Sequence, residues 1–548
     1  MPNFRNLIHF SIFLFLIAFS GCKNDEEKKE ASSTSEEKVT KKAENLTNSH
    51  SLQNLFASGI DSTAFYAPAQ ISAFYRKNEF QPIWNDSQLR EDIIANIENS
   101  EAKGLFPEDY HASEIRELHN SINSNSDEKN ARFEILLTDA FFRLAHDLAT
   151  GKLNPKELYA NWGTPLNSVA PENLLSNVIK KNNVSEILVS LEPENPVYSG
   201  LKKALRNFEK DSFSEEKITK IPAGKLIRPG ERDERISKVA KRLQELGFHQ
   251  KSTDTTKLYG EDLEKSLRNF QKAHGLEEDG IIGGSTIDNL NKSQEDRYHQ
   301  VLVNLERWRW YPRKLGEQYI LINISDFQLN LIKEGDTLGT YKTMVGLPSR
   351  QTPVFSDEIE YVIYNPTWTI PPTIEKKDVV PGMRRDRNYL KERSLNVYDK
   401  QNNRVDPSKI EWTSSEPYSY TYRQGPGPTN PLGQVKIIYP NKYMIYLHDT
   451  PHRELFNKRN RARSSGCVRV ENALQLAKYL LNDQPKYDDE KIKEILDSGK
   501  TTEIPVTKKV SVHHFYWTAY PENDSIKFID DIYDLDEELW QNLKPTGN

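Results

Sequence analysis

Hydrophobic positions change their period along the chain. From residue 51 to about 225 the spacing is mostly helical. It is clearest at 131–148, where Phe133, Leu136, Leu137, Ala140, Phe141, Leu144 and Leu148 share one broad face; Gly151 then stops the helix and Pro155 lies just beyond. Phe74, Tyr75, Ile83 and Trp84 add aromatic core or groove material, and His111, His119 and His146 are isolated, as structural or solvent-facing histidines are. These features predict a helical scaffold over 49–228. A compact unit follows at 232–293. Val239, Leu243 and Leu246 mark one helix closed by Gly247, and Leu263, Leu267 and Phe270 mark a second closed near Gly275. Asp279-Gly-Ile-Ile-Gly-Gly-Ser-Thr286 then turns into a third, through Ile287 and Leu290. Residues 294–316 predict a connecting helix ending in Glu306-Arg-Trp-Arg-Trp-Tyr-Pro312. Such a Trp/Arg cluster can stack on sugars or nucleic acid, but here it suits the docking of one domain on the next.

From 317 to 548 the period is largely alternating. Residues 319–324 form one strand, Phe327, Leu329 and Leu331 share a face of a second, and Glu334-Gly335-Asp336 turns into a third at 340–345. The β pattern continues at 360–364, breaks at about 366–430, and resumes at 435–438. The break holds Trp368, Pro371-Pro372, a basic run at 383–387 and many tyrosines, and predicts an inserted lid or substrate clamp. Met444-Ile-Tyr-Leu447 reads as a strand ending at His448. Ser464-Ser465-Gly466-Cys467 leads towards helical spacing at 471–481, which predicts a cysteine in a loop just before a helix. Helix-start amides would lower the thiol pKa, an imidazole would take its proton, and free amides would hold an oxyanion. Residues 510–517 predict one more strand before an acidic tail. The fold class is therefore multidomain α+β: a helical scaffold, a three-helix module and a β-rich domain with an inserted capping segment.

At 548 residues the chain exceeds one core, with roughly 100–200 residues expected per domain. A net charge of −6, with basic residues interspersed among acids, gives no sign of a nucleic-acid partner. Two cysteines, Cys22 and Cys467, exclude a disulfide framework. A weakly basic start, an apolar run at 7–19 and Ala18-Phe-Ser-Gly-Cys22 resemble a bacterial lipoprotein signal, although Phe19 departs from the usual aliphatic residue. The resemblance implies a signal peptide at 1–22, lipidation of Cys22, a membrane anchor and export to the periplasm. An ordinary secretory signal with an incidental cysteine is the alternative. Lys23 after the cysteine does not look like an inner-membrane retention signal, so the outer membrane is expected. Residues 23–48 hold no aromatic residue and read as a disordered tether. Cys467 is then the free thiol of the mature chain.

Four readings compete for His448 and Cys467. One is nucleophilic catalysis, with His448 as general base and Asp449 either orienting it, through side chain or backbone, or facing solvent. The second is a metal site with His452, disfavoured because Pro451 breaks the helix that such spacing needs. The third is a buried structural cysteine. The fourth is a redox thiol, which lacks a resolving partner.

His448 with Ser464-x-Gly466-Cys467-x-Arg469-Val is similar to the signature of the YkuD-type L,D-transpeptidases. The usual motif has histidine where this chain has Ser465. With Leu-His-Asp-Thr-Pro and Ser-Ser-Gly-Cys-Val-Arg-Val, the variant resembles the large multidomain, YcbB-like branch. Likewise Leu243-Gln-x-Leu-Gly247, Phe270-Gln271 and Asp279-Gly280-x-x-Gly283-x-x-Thr286 resemble a peptidoglycan-binding module. The resemblance implies Cys467 as nucleophile, His448 as proton acceptor and donor, and the amides of Gly466 and Cys467 at the oxyanion. Arg469 would hold a peptide carboxylate or brace the loop. Trp368, Tyr420 and Arg423 of the cap, with Ser465, would contact substrate and exclude water. It also implies peptidoglycan tetrapeptide stems as donor and acceptor, 3→3 crosslinks through a thioester, or stem trimming if water is the acceptor; the rival is a cell-wall-binding lipoprotein with a silent catalytic domain, which nothing in the sequence supports. Neither metal nor cofactor would be needed, and carbapenem-type inhibitors would acylate Cys467.

Overall fold

The computed structural model describes residues 46–59, 64–208, 213, 218–250, 257–522 and 525–545. The expected signal peptide, Cys22 and nearly all of the tether lie outside the described residues. In the first half, the helix Asp127–Thr150 runs from a Ser126 side-chain cap to Gly151 at φ 88°. It packs Phe133, Leu136, Phe141 and Leu148 against neighbouring helices, including Ser87–Glu98 and Pro171–Lys181. Each such burial is worth about 1.5–3 kcal/mol. A buried carboxylate, Glu134, accepts bonds from Ile83 N (2.6 Å), Trp84 N (3.1 Å) and Tyr75 Oη (2.8 Å); burial nevertheless pushes its pKa up to about 7. His111 pairs with Asp139 and His119 with Glu91, both structural roles.

The later part of the expected scaffold belongs to a different core. Tyr159, Trp162, Tyr198, Leu201 and Leu205 pack with the β domain. Trp162 even bridges to Val354, with Gly163 N donating to Val354 O at 2.6 Å and Val354 N to Asn161 O at 3.0 Å. The helix Gln294–Trp310 starts at a Ser293/Asp296 capping box and is buried on nearly every side. Trp310 meets Trp162 edge-on at 5.1 Å, and Tyr311 stacks on Phe515 at 3.8 Å. Arg309 pairs with Glu306 at 3.0 Å inside the protein, and Arg307 reaches Asp536 at 2.5 Å. The Trp/Arg run thus serves docking.

The three-helix module has the helices Ile236–Glu245, Glu261–Ala273 and Gly284–Leu290 around Leu243, Leu267, Phe270 and Leu290. Buried Gln271 explains the motif around it. Its amide donates to Asp279 Oδ1 (3.0 Å) and Ile281 O (3.2 Å) and accepts from Gly280 N (2.9 Å), pinning the turn to the helix.

The β domain begins with β1 (Gln318–Asn323), β2 (Gln328–Lys333), β3 (Asp336–Gly346), β4 (Phe355–Glu358) and β5 (Tyr361–Tyr364). The cap supplies β6 (Trp368–Thr369), β7 (Asn396–Tyr398), β8 (Arg404–Val405) and β9 (Thr421–Gln424). Then come β10 (Val435–Ile438), β11 (Leu447–His448), β12 (Ala462–Ser464), β13 (Val468–Val470), β14 (Thr502–Pro505) and β15 (Ser511–Phe515). The main sheet runs β14-β5-β10-β11-β13-β3-β2-β1-β15-β4, with β12 on β3. The cap has its own sheet, β6-β9-β7-β8, and its own core of Val379, Val380, Met383, Val397, Trp412 and Tyr422. One expectation fails: Cys467 does not precede a helix. Val468 and Val470, both fully buried, continue as β13, and the helix Ala473–Leu480 starts only after Asn472 at φ 55°. β-branched residues alternating into a core favour a strand over a helix start.

Since β15 lies between β1 and β4 and carries Phe515 into the core, deleting residues 509–548 should abolish folding. Loss of one large buried aromatic costs about 3–5 kcal/mol, against a total of about 5–15 kcal/mol. The expected result is insoluble protein or the absence of a cooperative thermal transition by circular dichroism; a soluble, cooperatively melting truncation would contradict this.

Candidate active site

Strand pairing assembles the site. β11 and β13 run parallel, with Leu447 opposite Val468 and His448 opposite Arg469. Side chains two apart on a strand share a face, so Tyr446 and His448 come from one segment and Cys467 and Arg469 from the next. All four, with Trp368 of the cap above them, line one cavity of about 770 Å³.

The thiol is partly exposed to this cavity. Its Sγ lies 3.7 Å from the carbonyl of Met444, a residue at φ 56°. The backbone N–H and the phenol of Tyr446 act on the sulfur to favour its charged form, and Lys436 Nζ stands 3.9 Å from the centre of the Tyr446 ring. Burial pushes the thiol pKa up. Tyr446, then Lys436 and Arg469, pull it down without cancelling that effect. This replaces the expected helix-start effect, for which no helix terminus is at hand.

His448 is 4% exposed. Burial, then Arg469, lower its pKa to about 3, so the ring is neutral at ordinary pH. Its Nδ1 lies 2.6 Å from the Asp449 carbonyl. Donation there leaves Nε2 as the nitrogen able to accept a proton. The Asp449 carboxylate points elsewhere: it accepts from Gln434 N at 3.0 Å and pairs with Arg453 at 3.3 Å. It also packs so closely on Gly433 that a Cβ there would come 2.3 Å from Oδ2. Asp449 therefore orients the histidine through its backbone.

The nucleophile loop is braced from below. Ser464 Oγ donates to Cys467 O (2.5 Å) and accepts from Gly466 N (3.1 Å). The Gly466 amide, assigned to the oxyanion by resemblance, is thus already engaged, whereas the Cys467 N–H makes no hydrogen bond among the described residues. Gly466 sits at φ 120°, and its carbonyl accepts from Thr352 Oγ1 at 2.7 Å. Thr352 N in turn donates to Tyr533 Oη (3.1 Å), and that hydroxyl donates to Gly346 O (2.8 Å). Arg469 has no carboxylate partner among the described residues. Its buried Nε is unpaired, and Nη1 lies 3.9 Å from Met344 Sδ.

The other expected site residues divide. Trp368 lines the roof of the cavity that Tyr446 also lines, and Ser465 Oγ accepts from Arg350 at 2.9 Å. Tyr420 and Arg423 do not line the cavity. Tyr420 donates to Glu416 at 2.8 Å, while Arg423 bonds Asn402 and lies 5.0 Å above Tyr398. Alternation along β9 turns Tyr422 and Gln424 inward instead. His452 is exposed and stands 3.6 Å from Glu454, and the described residues contain no cluster arranged to share a metal. Tyr446, Lys436 and Arg350 were missed from sequence. Tyr446 had a usable signal, since it stands two positions before His448 in the segment expected as one strand from Met444, of which the structure keeps only Leu447–His448 as β11.

Residues 317–506 match the model of the "L,D-transpeptidase catalytic domain", residues 69–205 that of a "Scaffold domain", and residues 232–290 that of a "Putative peptidoglycan binding domain". A protein of Haemophilus influenzae named "Putative L,D-transpeptidase" is 39% identical over 249 residues, 45% of this chain and 50% of its own. The chain therefore spans about half the length of this curated relative. Two crystal structures of L,D-transpeptidases are also similar. That from Xylanimonas cellulosilytica is 14% identical, covering 53% of this chain and 99% of its own at a TM-score of 0.16. That from Stackebrandtia nassauensis is 12% identical, covering 54% and 96% at a TM-score of 0.20. Likeness at such scores is too slight to bear on the fold.

A neutral thiol beside a neutral imidazole should show in the alkylation of Cys467. With its pKa above the ordinary value of 9.0, the iodoacetamide rate should climb throughout pH 7 to 9.5, without a low-pH plateau. Tyr446→Phe removes the phenol that pulls the thiol pKa down and should move the curve to still higher pH. A rate already flat near pH 5 would mean a preformed thiolate–imidazolium pair and would refute the assignment.

Proposed function

We propose that this chain, whose residues 317–506 form an L,D-transpeptidase catalytic domain, joins peptidoglycan stems through 3→3 crosslinks by way of a Cys467 thioester. The observation that carries this reading is the convergence of Cys467, neutral His448 and unpaired Arg469 in one roofed cavity. The donor is a tetrapeptide stem. Cys467 Sγ attacks the carbonyl of the L-centre at position 3 while His448 Nε2 takes the thiol proton. The Cys467 N–H, left without a hydrogen bond among the described residues, would hold the oxyanion. Collapse breaks the bond to the terminal D-alanine, whose amine leaves with the proton from His448.

The amine of a second stem then attacks the thioester. Its proton passes to His448, an amide forms, and sulfur leaves as a thiol. Arg469, a desolvated cation with no counterion among the described residues, suits a carboxylate of one of the stems. Lys436, also desolvated, adds positive potential behind Tyr446 and favours developing negative charge on sulfur. Water in place of the amine gives L,D-carboxypeptidase activity, and the cap favours the amine by narrowing access. The three-helix module supports affinity for the wall. Carbapenem-type β-lactams would acylate Cys467. A lipid on Cys22 would tether the enzyme in the periplasm, at the outer membrane.

Incubation with disaccharide-tetrapeptides, followed by mass spectrometry, tests the reading. Release of D-alanine with dimers is expected, and Cys467→Ala should remove both. Monomeric tripeptide alone would make the protein a carboxypeptidase, and unchanged tetrapeptide would end the enzymatic reading. Arg469→Ala, by removing a charge-assisted bond of about 1.5–3 kcal/mol, should lower kcat/KM by roughly tenfold or more.

A further inference from the structure

Arg350 stands between the cap and the nucleophile loop and bonds both. It ends the short turn Pro348–Arg350 that follows β3. Upward, its Nη1 and Nη2 hold Asp378 Oδ2 and Oδ1 at 2.6 and 2.9 Å, a bidentate pair. Sideways, Nη1 donates to Ser465 Oγ at 2.9 Å, two residues from the nucleophile. The backbone beneath cannot drift: a Cβ on Gly346 would come 2.1 Å from the Arg350 carbonyl, and Thr352 ties the same turn to Gly466 O. On the cap side, Asp378 lies in a π-helical turn, Glu375–Val379, between the helical turns Pro372–Ile374 and Val380–Arg385. Such a bulge re-aims a side chain relative to a regular helix. Among the described residues this is the ion pair that joins cap to floor across the cavity. Arg350 and Asp378 are 19% and 36% exposed, so the pair is weak enough to part when a stem enters.

We propose that Arg350 is a positioning residue that couples closure of the cap to the set of the nucleophile loop, and so steers the thioester towards an amine rather than water. Amine attack forms an amide and returns the sulfur as a thiol; water attack forms a carboxylic acid and returns the same thiol. With the pair made, the cap narrows the entrance while Ser465 is held. With it broken, the cavity admits water and the loop loses one of its ties. The product readout rests on the acyl-transfer reading above, whereas access to the thiol is measured without it.

Asp378→Asn tests this in the full chain, with thermal melting as the control for folding. Its Cys467 should react with iodoacetamide roughly fivefold faster at fixed pH, the scale of a partly exposed ion pair. Its ratio of crosslinked dimer to tripeptide should fall by a similar factor. Asp378→Glu, and the exchange Arg350→Asp with Asp378→Arg, should restore both towards wild type. Should Asp378→Asn fail to fold, Arg350→Lys, which keeps the charge but loses the fork, gives the same two shifts with smaller amplitude. Unchanged alkylation and an unchanged ratio in a folded variant would overturn the proposal, as would a proportional loss of both products with alkylation unaltered. If wild type yields neither product while the variant still alkylates faster, the catalytic reading fails and the coupling of cap to loop stands.

Discussion

The parallel pairing of β11 with β13 is the constraint on which the site depends. Parallel neighbours cannot be joined by a tight turn, so the chain must leave at His448 and return through the 449–467 connection. That detour brings Cys467 in beside Tyr446 and sets Arg469 beside His448. A one-residue slip would send each of these side chains to the opposite face. Fully buried Leu447, Val468 and Val470 hold the register by filling the core behind the sheet.

Desolvation is the second determinant. With Arg469 and Lys436 it keeps His448 neutral, and it keeps the Cys467 proton on sulfur against the pull of those same two cations, which have no carboxylate partner among the described residues. Such a pair rests uncharged, and the field of Lys436 and Arg469 acts only as negative charge develops. Stabilisation of that kind favours the transition state over the ground state. A resting thiolate would instead be open to unselective oxidation.

The site is also held by segments distant in sequence. Tyr533, beyond the last strand of the main sheet, props the turn under Gly466, while Asn161 and Gly163 pair with Val354 at the cavity edge. The helix Gln294–Trp310 lies at the centre of these contacts, with Trp308 and Trp310 inserted between the scaffold residues and the sheet. Scaffold, connecting helix and C-terminal strand thus share one core, and a change in any of them reaches the nucleophile loop through packing.

Much of this was legible from residues alone. Period and stop signals marked the long helix ending at Gly151, the three-helix module closed by Gly247 and Gly275, and the alternating strands from residue 317. Local spacing carries that information because helices and strands bury one face at a fixed repeat. His448, Cys467 and Arg469 stood out by residue type and motif. The strand after Cys467, the backbone role of Asp449, the engaged amide of Gly466 and the outward course of Arg423 were not legible. Each depends on which strands become neighbours, and pairing is settled by burial of the whole sheet rather than by any short segment. The same holds for Tyr446, Lys436 and Arg350, whose roles arise only where separate segments meet. The chain's sequence by itself determined the elements and the chemistry available; the tertiary structure decided which groups face each other without water between them, because desolvation is a property of the assembled core.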